Sequence, residues 1–250
     1  MAESDPAVTS PTAKDLSEPP ATVLVVVAHP DDIDFRIAGT AAALSAAGTH
    51  VAYRIASSGE AGGPDEMDRA ELKELREREQ RAAGQAVGVT DVEFLGQRDG
   101  HIEFNLALRK EISKAIRAVK PDVLICQNPE RVWESAYGSH PDHLAVGQAA
   151  IAAAYPDSRN PHFCPELLDE GYEPHTVPAV WVATSTPADV CIDITDVFDQ
   201  KVKALSAHAS QVGWIDDVDK LLRDWATAMS SENGFPETTL IETFRLIRTA

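Results

Sequence analysis

Residues 21–32 read ATVLVVVAHPDD. Positions 22–27 are aliphatic or β-branched without a break, so a strand formed there must be covered on both faces, as happens in a parallel sheet between two helical layers. The run then stops abruptly. His29, Asp31 and Asp32 place one imidazole and two carboxylates at the strand tip.

Outward from this strand the pattern alternates. IAGTAAALSAAG (37–48) predicts a helix ended by Gly48, and THVAYRIASS (49–58) predicts a second strand. The glycine-containing loop GEAGGPDE (59–66) leads into a long charged helix over 67–84. DVEFLG (91–96), FNLALRKEISKAIRAV (104–119) and PDVLICQN (121–128) follow as strand, helix and strand. The regular alternation predicts an α/β fold, a mostly parallel sheet with helices on both faces, in which ligands bind beyond the carboxyl ends of the strands. Further on, a helix over 141–155 precedes a stretch rich in Pro, Asn, Asp and Gly (155–178), long enough to be a functional loop and a candidate cover for the site. Two strands (177–185 and 188–195), a helix over 196–212, another over 216–229 and a terminal element (239–248) of open type complete the chain.

Composition sets the outer limits. A chain of 250 residues, 44% hydrophobic and 25% charged, is expected to form a single domain over 21–250, with 1–20 a disordered tail rich in Pro, Ser and acidic residues. The 22 basic against 40 acidic residues give a net charge of −18, which opposes binding to nucleic acid or anionic membranes. No apolar run approaches the roughly 18–20 residues of a membrane span. Cys126, Cys164 and Cys191 are odd in number and widely spaced, which fits a reducing cytoplasm better than a disulfide framework. Whether the chain forms homo-oligomers is not legible at this level.

The chemistry sits in two clusters. His29-Pro30-Asp31-Asp32 leaves the first strand, and Ser139-His140-Pro141-Asp142-His143 follows the strand 121–128 at the same sheet edge, with Pro141 suited to the first turn of a helix. Taken singly, Asp31 or Asp32 could cap a helix and His140 or His143 could be solvated. Taken together they form a catalytic zinc set: two histidines plus one carboxylate bind Zn²⁺ and leave an open position for water, with either His140 or His143 able to join the first cluster.

At this point the chain resembles a known family. AHPDDIDFRIAGT, SSGEAGG, REREQRAAG, RDG, SHPDH and KALSAHASQ occur in the order seen in the PIG-L/LmbE-like zinc-dependent N-deacetylases, which include deacetylases of mycothiol and bacillithiol biosynthesis. The resemblance implies a Rossmann-like fold and hydrolysis of an N-acyl group on a small amino-sugar substrate. Carried over by position, it implies His29, Asp32 and His143 as zinc ligands, and Asp31 as the base that takes a proton from the water on the zinc. His140 would act as acid and oxyanion donor, with Asp142 holding it and raising its basicity. Arg76 and Asp99 match positions that contact the sugar, against surface ion pairing and an ordinary turn as alternatives. Two departures stand out: Asp34 replaces a usual Glu, and Gly138 stands where some members have a Tyr, with Tyr137 one residue further away. GEAGG reads as a plain flexible loop, His208 as a structural helix residue, and His162 and His175 as solvated. An amidase of a larger N-acyl or thiol conjugate, and a non-catalytic ligand-binding protein on the same scaffold, are the competing readings.

Overall fold

The computed structural model describes residues 16, 18–63, 66–133, 139–183 and 188–250. Tyr137, Gly138 and most of the expected tail lie outside the described residues. Leu16 packs against the core and the Pro20 carbonyl accepts the Thr49 hydroxyl at 2.8 Å, so ordered packing begins somewhat before Ala21.

The chain order is β1 (Thr22–Val27), α1 (Asp32–Arg36), α2 (Ala38–Ala46), β2 (His50–Ser57), α3 (Arg69–Ala86), β3 (Asp91–Gln97), α4 (Leu106–Val119), β4 (Val123–Cys126) and α5 (Pro141–Ala152). There follow α6 (Glu166–Asp169), β5 (Ala179–Ala183), β6 (Val190–Asp193), α7 (Phe198–Ser206), α8 (Ala209–Val212), α9 (Val218–Glu232) and β7 (Ile241–Arg248). The described residues form one seven-stranded sheet in the order β3-β2-β1-β4-β5-β7-β6. Strands β1 to β5 pair in parallel, and β7 runs antiparallel to both β5 and β6.

Side-chain alternation along β1 builds two cores at once. Val23, Val25 and Val27 face the layer of α1, α2, α7 and α9, while Leu24, Val26 and Ala28 face α4 and α5. All six are fully buried, which is why the segment tolerates no polar residue. Strand order reverses between β1 and β4, whose registers pair Val26 with Cys126. Loops leaving neighbouring strands in opposite directions open a crevice there, the usual ligand position of an open α/β sheet.

Two expectations need correction. The helix expected over 196–212 is interrupted: α7 stops at Ser206 and α8 restarts at Ala209, with His208 between them at φ −84°, ψ 54°. The segment 155–178 does not cover the crevice. Helix α5 starts at the site and carries the chain about 18 Å away along 12 residues, and the segment then precedes β5, so it lies at the amino-terminal edge of the parallel strands. There His175 Nε2 meets the Pro121 carbonyl at 2.8 Å, and the Arg117 guanidinium donates to the carbonyls of Asp157, Ser158, Asn160, Phe163 and Tyr172. His175 is therefore a tied-down residue.

Candidate metal centre and active site

β1 ends by delivering His29 into the crevice, 8% exposed. Pro30 has no N–H to continue the ladder, and Asp31 turns the chain through a left-handed conformation, φ 85°. Asp31 occupies the N-cap position of α1 without a side-chain cap bond, and Asp32 Oδ2 accepts the His29 N–H at 2.7 Å. Neither carboxylate is consumed in capping the helix, so both remain for chemistry.

Opposite them, α5 begins at His140, the N-cap, with Pro141 in its first turn. His140 and His143 fall on the same side of the helix start, their ring centroids 5.1 Å apart, and His140 stands 5.0 Å from the His29 ring. Three donors converge: His29 Nδ1 lies 3.2 Å from His143 Nε2 and 3.4 Å from Asp32 Oδ2, and Asp32 Oδ1 lies 3.0 Å from His143 Nε2. Ligands about 2.0 Å from one tetrahedral ion stand roughly 3.3 Å apart, so this donor set fits a single small divalent cation. His29 Nε2 lies 3.1 Å from Asp99 Oδ1 and 3.2 Å from Asp142 Oδ2. Two carboxylates hold the ring proton on that side and turn the Nδ1 lone pair toward His143 and Asp32, the carboxylate–histidine arrangement that orients metal ligands.

His140 also has a nitrogen within 4.8 Å of its counterparts on His29 and His143, so proximity alone leaves it a ligand candidate. Its hydrogen bond distinguishes it. His140 Nδ1 accepts the Asp142 N–H at 3.2 Å, which places the ring proton on Nε2 and makes the exposed side of the imidazole a donor.

Asp142 is the clearest reassignment. Its carboxylate, 1% exposed, does not reach the His140 ring: it accepts the Gly100 and Ile102 N–H groups at 2.8 and 3.3 Å and meets His29 Nε2. It buttresses the His29 ring instead. The Asp142 charge raises the His140 imidazole, as expected, but burial and the neighbouring imidazoles of His29 and His143 outweigh it and hold the ring below its ordinary range. Burial opposes charge on His29 too, but the bonds to Asp142, Asp32 and Asp99 push it up to about 12. For Asp31, burial and the neighbouring Asp32 charge raise the carboxyl to about 7 against the pull of Arg76, in the range suited to a general base.

Arg76 and Asp99 are both at the site, facing the protein. Arg76, 4% exposed, donates to the carbonyls of Gly59 at 2.7 Å and Pro30 at 2.8 Å and lies 3.4 Å from Asp31 Oδ2. Asp99 spends Oδ2 on the Ala61 N–H at 2.8 Å and Oδ1 on His29. The GEAGG loop is a cradle for this guanidinium: Gly59 has φ +72°, and a Cβ there would lie 2.4 Å from Arg76 Cζ. Gln80, fully buried on α3, escaped the sequence reading although its oxygen accepts the Asp31 N–H at 3.0 Å. Its signal was present: Leu72, Arg76, Glu79, Gln80 and Ala83 repeat at helical spacing, so polar groups occupy the buried face of α3.

Known proteins bear on this arrangement. The family described as PIG-L, GlcNAc-PI de-N-acetylase, matches residues 24–154, a span holding His29, Asp31, Asp32, Arg76, Asp99, His140, Asp142 and His143. A probable N-acetyl-alpha-D-glucosaminyl L-malate deacetylase 2 of Bacillus anthracis is 30% identical over 224 residues, covering 86% of this chain and 89% of its own. The N,N'-diacetylchitobiose deacetylase of Pyrococcus horikoshii, solved with an inhibitor, superposes with a TM-score of 0.82 at 29% identity, over 94% of this chain and 87% of its own. GalB, a 4-carboxy-2-hydroxymuconate hydratase, shares the fold at a TM-score of 0.74 with 20% identity, over 92% of this chain and 97% of its own, and shows that the scaffold also carries other chemistry. With its matched span, its relatives and the two histidine–carboxylate clusters on one crevice, the chain belongs to the PIG-L family of LmbE-like deacetylases.

Proposed function

We propose that the protein is a zinc-dependent hydrolase that removes an N-acetyl group from a small amino-sugar substrate. The observation that carries this reading is the convergence of His29 Nδ1, His143 Nε2 and Asp32 within 3.4 Å of one another, beside a carboxylate and an imidazole left outside the donor set. The matched N-acetylglucosaminyl malate deacetylase and diacetylchitobiose deacetylase support the substrate class. His29, Asp32 and His143 would hold the ion. Bound there, zinc supplies Lewis acidity and brings the acidity of a bound water to about neutral.

The remaining chemistry belongs to the chain. Asp31, held by Gln80 and facing Arg76, takes the proton of the attacking water as it adds to the amide carbon. His140 presents Nε2–H toward the carbonyl oxygen, where a hydrogen bond gains strength as negative charge develops. When the carbon–nitrogen bond breaks, the departing nitrogen takes the proton that Asp31 received from the water, so the carboxylate is regenerated while His140 keeps its Nε2–H. A binding-only module has no use for either group.

The negative net charge favours an uncharged substrate over a polyanion. The amidase reading is not separated by 155–178, which lies at the opposite edge, so acyl-group size must be tested directly. Purified protein is loaded with zinc, assayed for metal content, and offered N-acetyl glycosides beside conjugates with longer acyl groups. Acetate release from the glycosides is expected. Cleavage of the longer amides alone would replace deacetylase by amidase, and stoichiometric zinc without turnover of either would support a binding protein.

A further inference from the structure

Asp31 must keep its carboxylate turned toward the crevice, yet it does so in a backbone conformation that a non-glycine residue adopts at a cost, φ 85°, ψ −27°. Such strain persists only where surrounding groups over-determine it. Two groups hold the turn from opposite sides. On the carbonyl side, Arg76 donates to Pro30 at 2.8 Å. On the amide side, the Asp31 N–H donates to Gln80 Oε1 at 3.0 Å.

Gln80 is itself oriented. Its Nε2 donates to Asp34 Oδ2 at 3.0 Å, and the same oxygen accepts His208 Nε2 at 2.8 Å. Asp34 can only accept, so it draws the NH₂ end of Gln80 and leaves the oxygen for Asp31; a flipped amide would set oxygen against carboxylate and NH₂ against N–H. Gln80, Asp34 and His208 are all 0% exposed. Among the described residues Asp34 Oδ1 and His208 Nδ1 have no hydrogen-bond partner, so the pair serves no other group. Burying three polar side chains is costly where an apolar trio would pack the same space. Their bonds lead to the Asp31 amide.

We infer that His208, Asp34 and Gln80 form a positioning relay that locks the left-handed conformation of Asp31 and thereby aims its carboxylate at the reacting centre. The kinetic part of this inference rests on the hydrolase reading. The interruption between α7 and α8 at His208 belongs to the same device, because it places a histidine inside the core, 174 residues from its carboxylate partner. The shorter Asp34 meets that histidine directly.

The test uses the full-length, zinc-loaded protein carrying Gln80→Leu, beside His208→Gln and His208→Leu. Q80L is expected to retain zinc and a cooperative melt, to lose roughly 10- to 100-fold in kcat as a misaimed reacting group would, and to keep its KM. H208Q, which preserves a donor to Asp34, is expected to keep most of its kcat, and H208L to lose it. A crystal structure of Q80L should show Asp31 relaxed to negative φ. Retention of positive φ in Q80L, wild-type kcat in that variant, or equal kcat in H208Q and H208L would overturn the relay. If Q80L does not fold, the His208 pair decides alone. Failure of the wild type to turn over any N-acetyl sugar would sink the hydrolase reading, while the Asp31 conformation in Q80L would still judge the relay.

Discussion

The two edges of the sheet bury charge in opposite ways. At the amino-terminal edge, Arg117 is 1% exposed and donates to five backbone carbonyls, with no described carboxylate within salt-bridge distance. Peptide dipoles of the 155–178 segment hold it through Nε, Nη1 and Nη2 alike. At the carboxyl-terminal edge, Asp31, Asp32, Asp99 and Asp142 crowd around His29 and His143, with Arg76 the nearby fixed cation. Burial of like charges is unfavourable unless a cation joins them. The contrast separates a finished structural knot from a site whose electrostatics call for an ion.

Substitutions should divide along that line. The largest effect is expected from His143→Ala, which removes a donor and with it both zinc and turnover; full zinc occupancy in that variant would break the assignment. Asp31→Asn should keep zinc, as measured by metal analysis, and lose on the order of 10² to 10⁴ in kcat. If Asp31→Asn and Asp32→Asn shed metal equally, the roles of the two carboxylates are exchanged.

Asp142→Asn sharpens the comparison because it tests a buttress of the site edge. It weakens the hold on His29 Nε2, and zinc affinity should fall about 10- to 100-fold, with activity recovered by excess zinc. Were Asp142 instead the partner of His140, zinc affinity would stay and the pH profile of kcat would move.

Arg117→Met belongs to the other edge and should leave kcat and zinc unchanged while destabilising the fold by about 2–4 kcal/mol, since five carbonyls lose a buried donor. Urea titration reads this directly, and a loss of activity without a loss of stability would mean that the two edges are coupled. The smallest effect concerns pH. Burial works against charge on His208, but Asp34 raises its pKa above the ordinary 6.5. A raised folded-state value contributes stability that is complete below about 6.5 and lost as pH rises through that raised value. The stability gap between wild type and H208Q should therefore narrow on going from pH 6 to alkaline conditions.

The residues of 21–32 determined much on their own. An unbroken β-branched run dictates a strand covered on both faces, and the strand–helix alternation after it dictates a parallel sheet, because both signals are local and periodic. The convergence of the HPDD and SHPDH clusters followed from the same logic, since residues after parallel strands reach one edge. Partnership did not. Asp142 reads as the neighbour of His140 but bonds His29, 113 residues away; Arg76 reads as a sugar contact or a surface ion pair but fills a glycine cradle; 155–178 reads as a lid but lies at the opposite edge. A helix start points side chains two residues apart in different directions, and each buried polar group takes whichever distant group the packed layers bring within reach. That choice is made only when the tertiary structure closes.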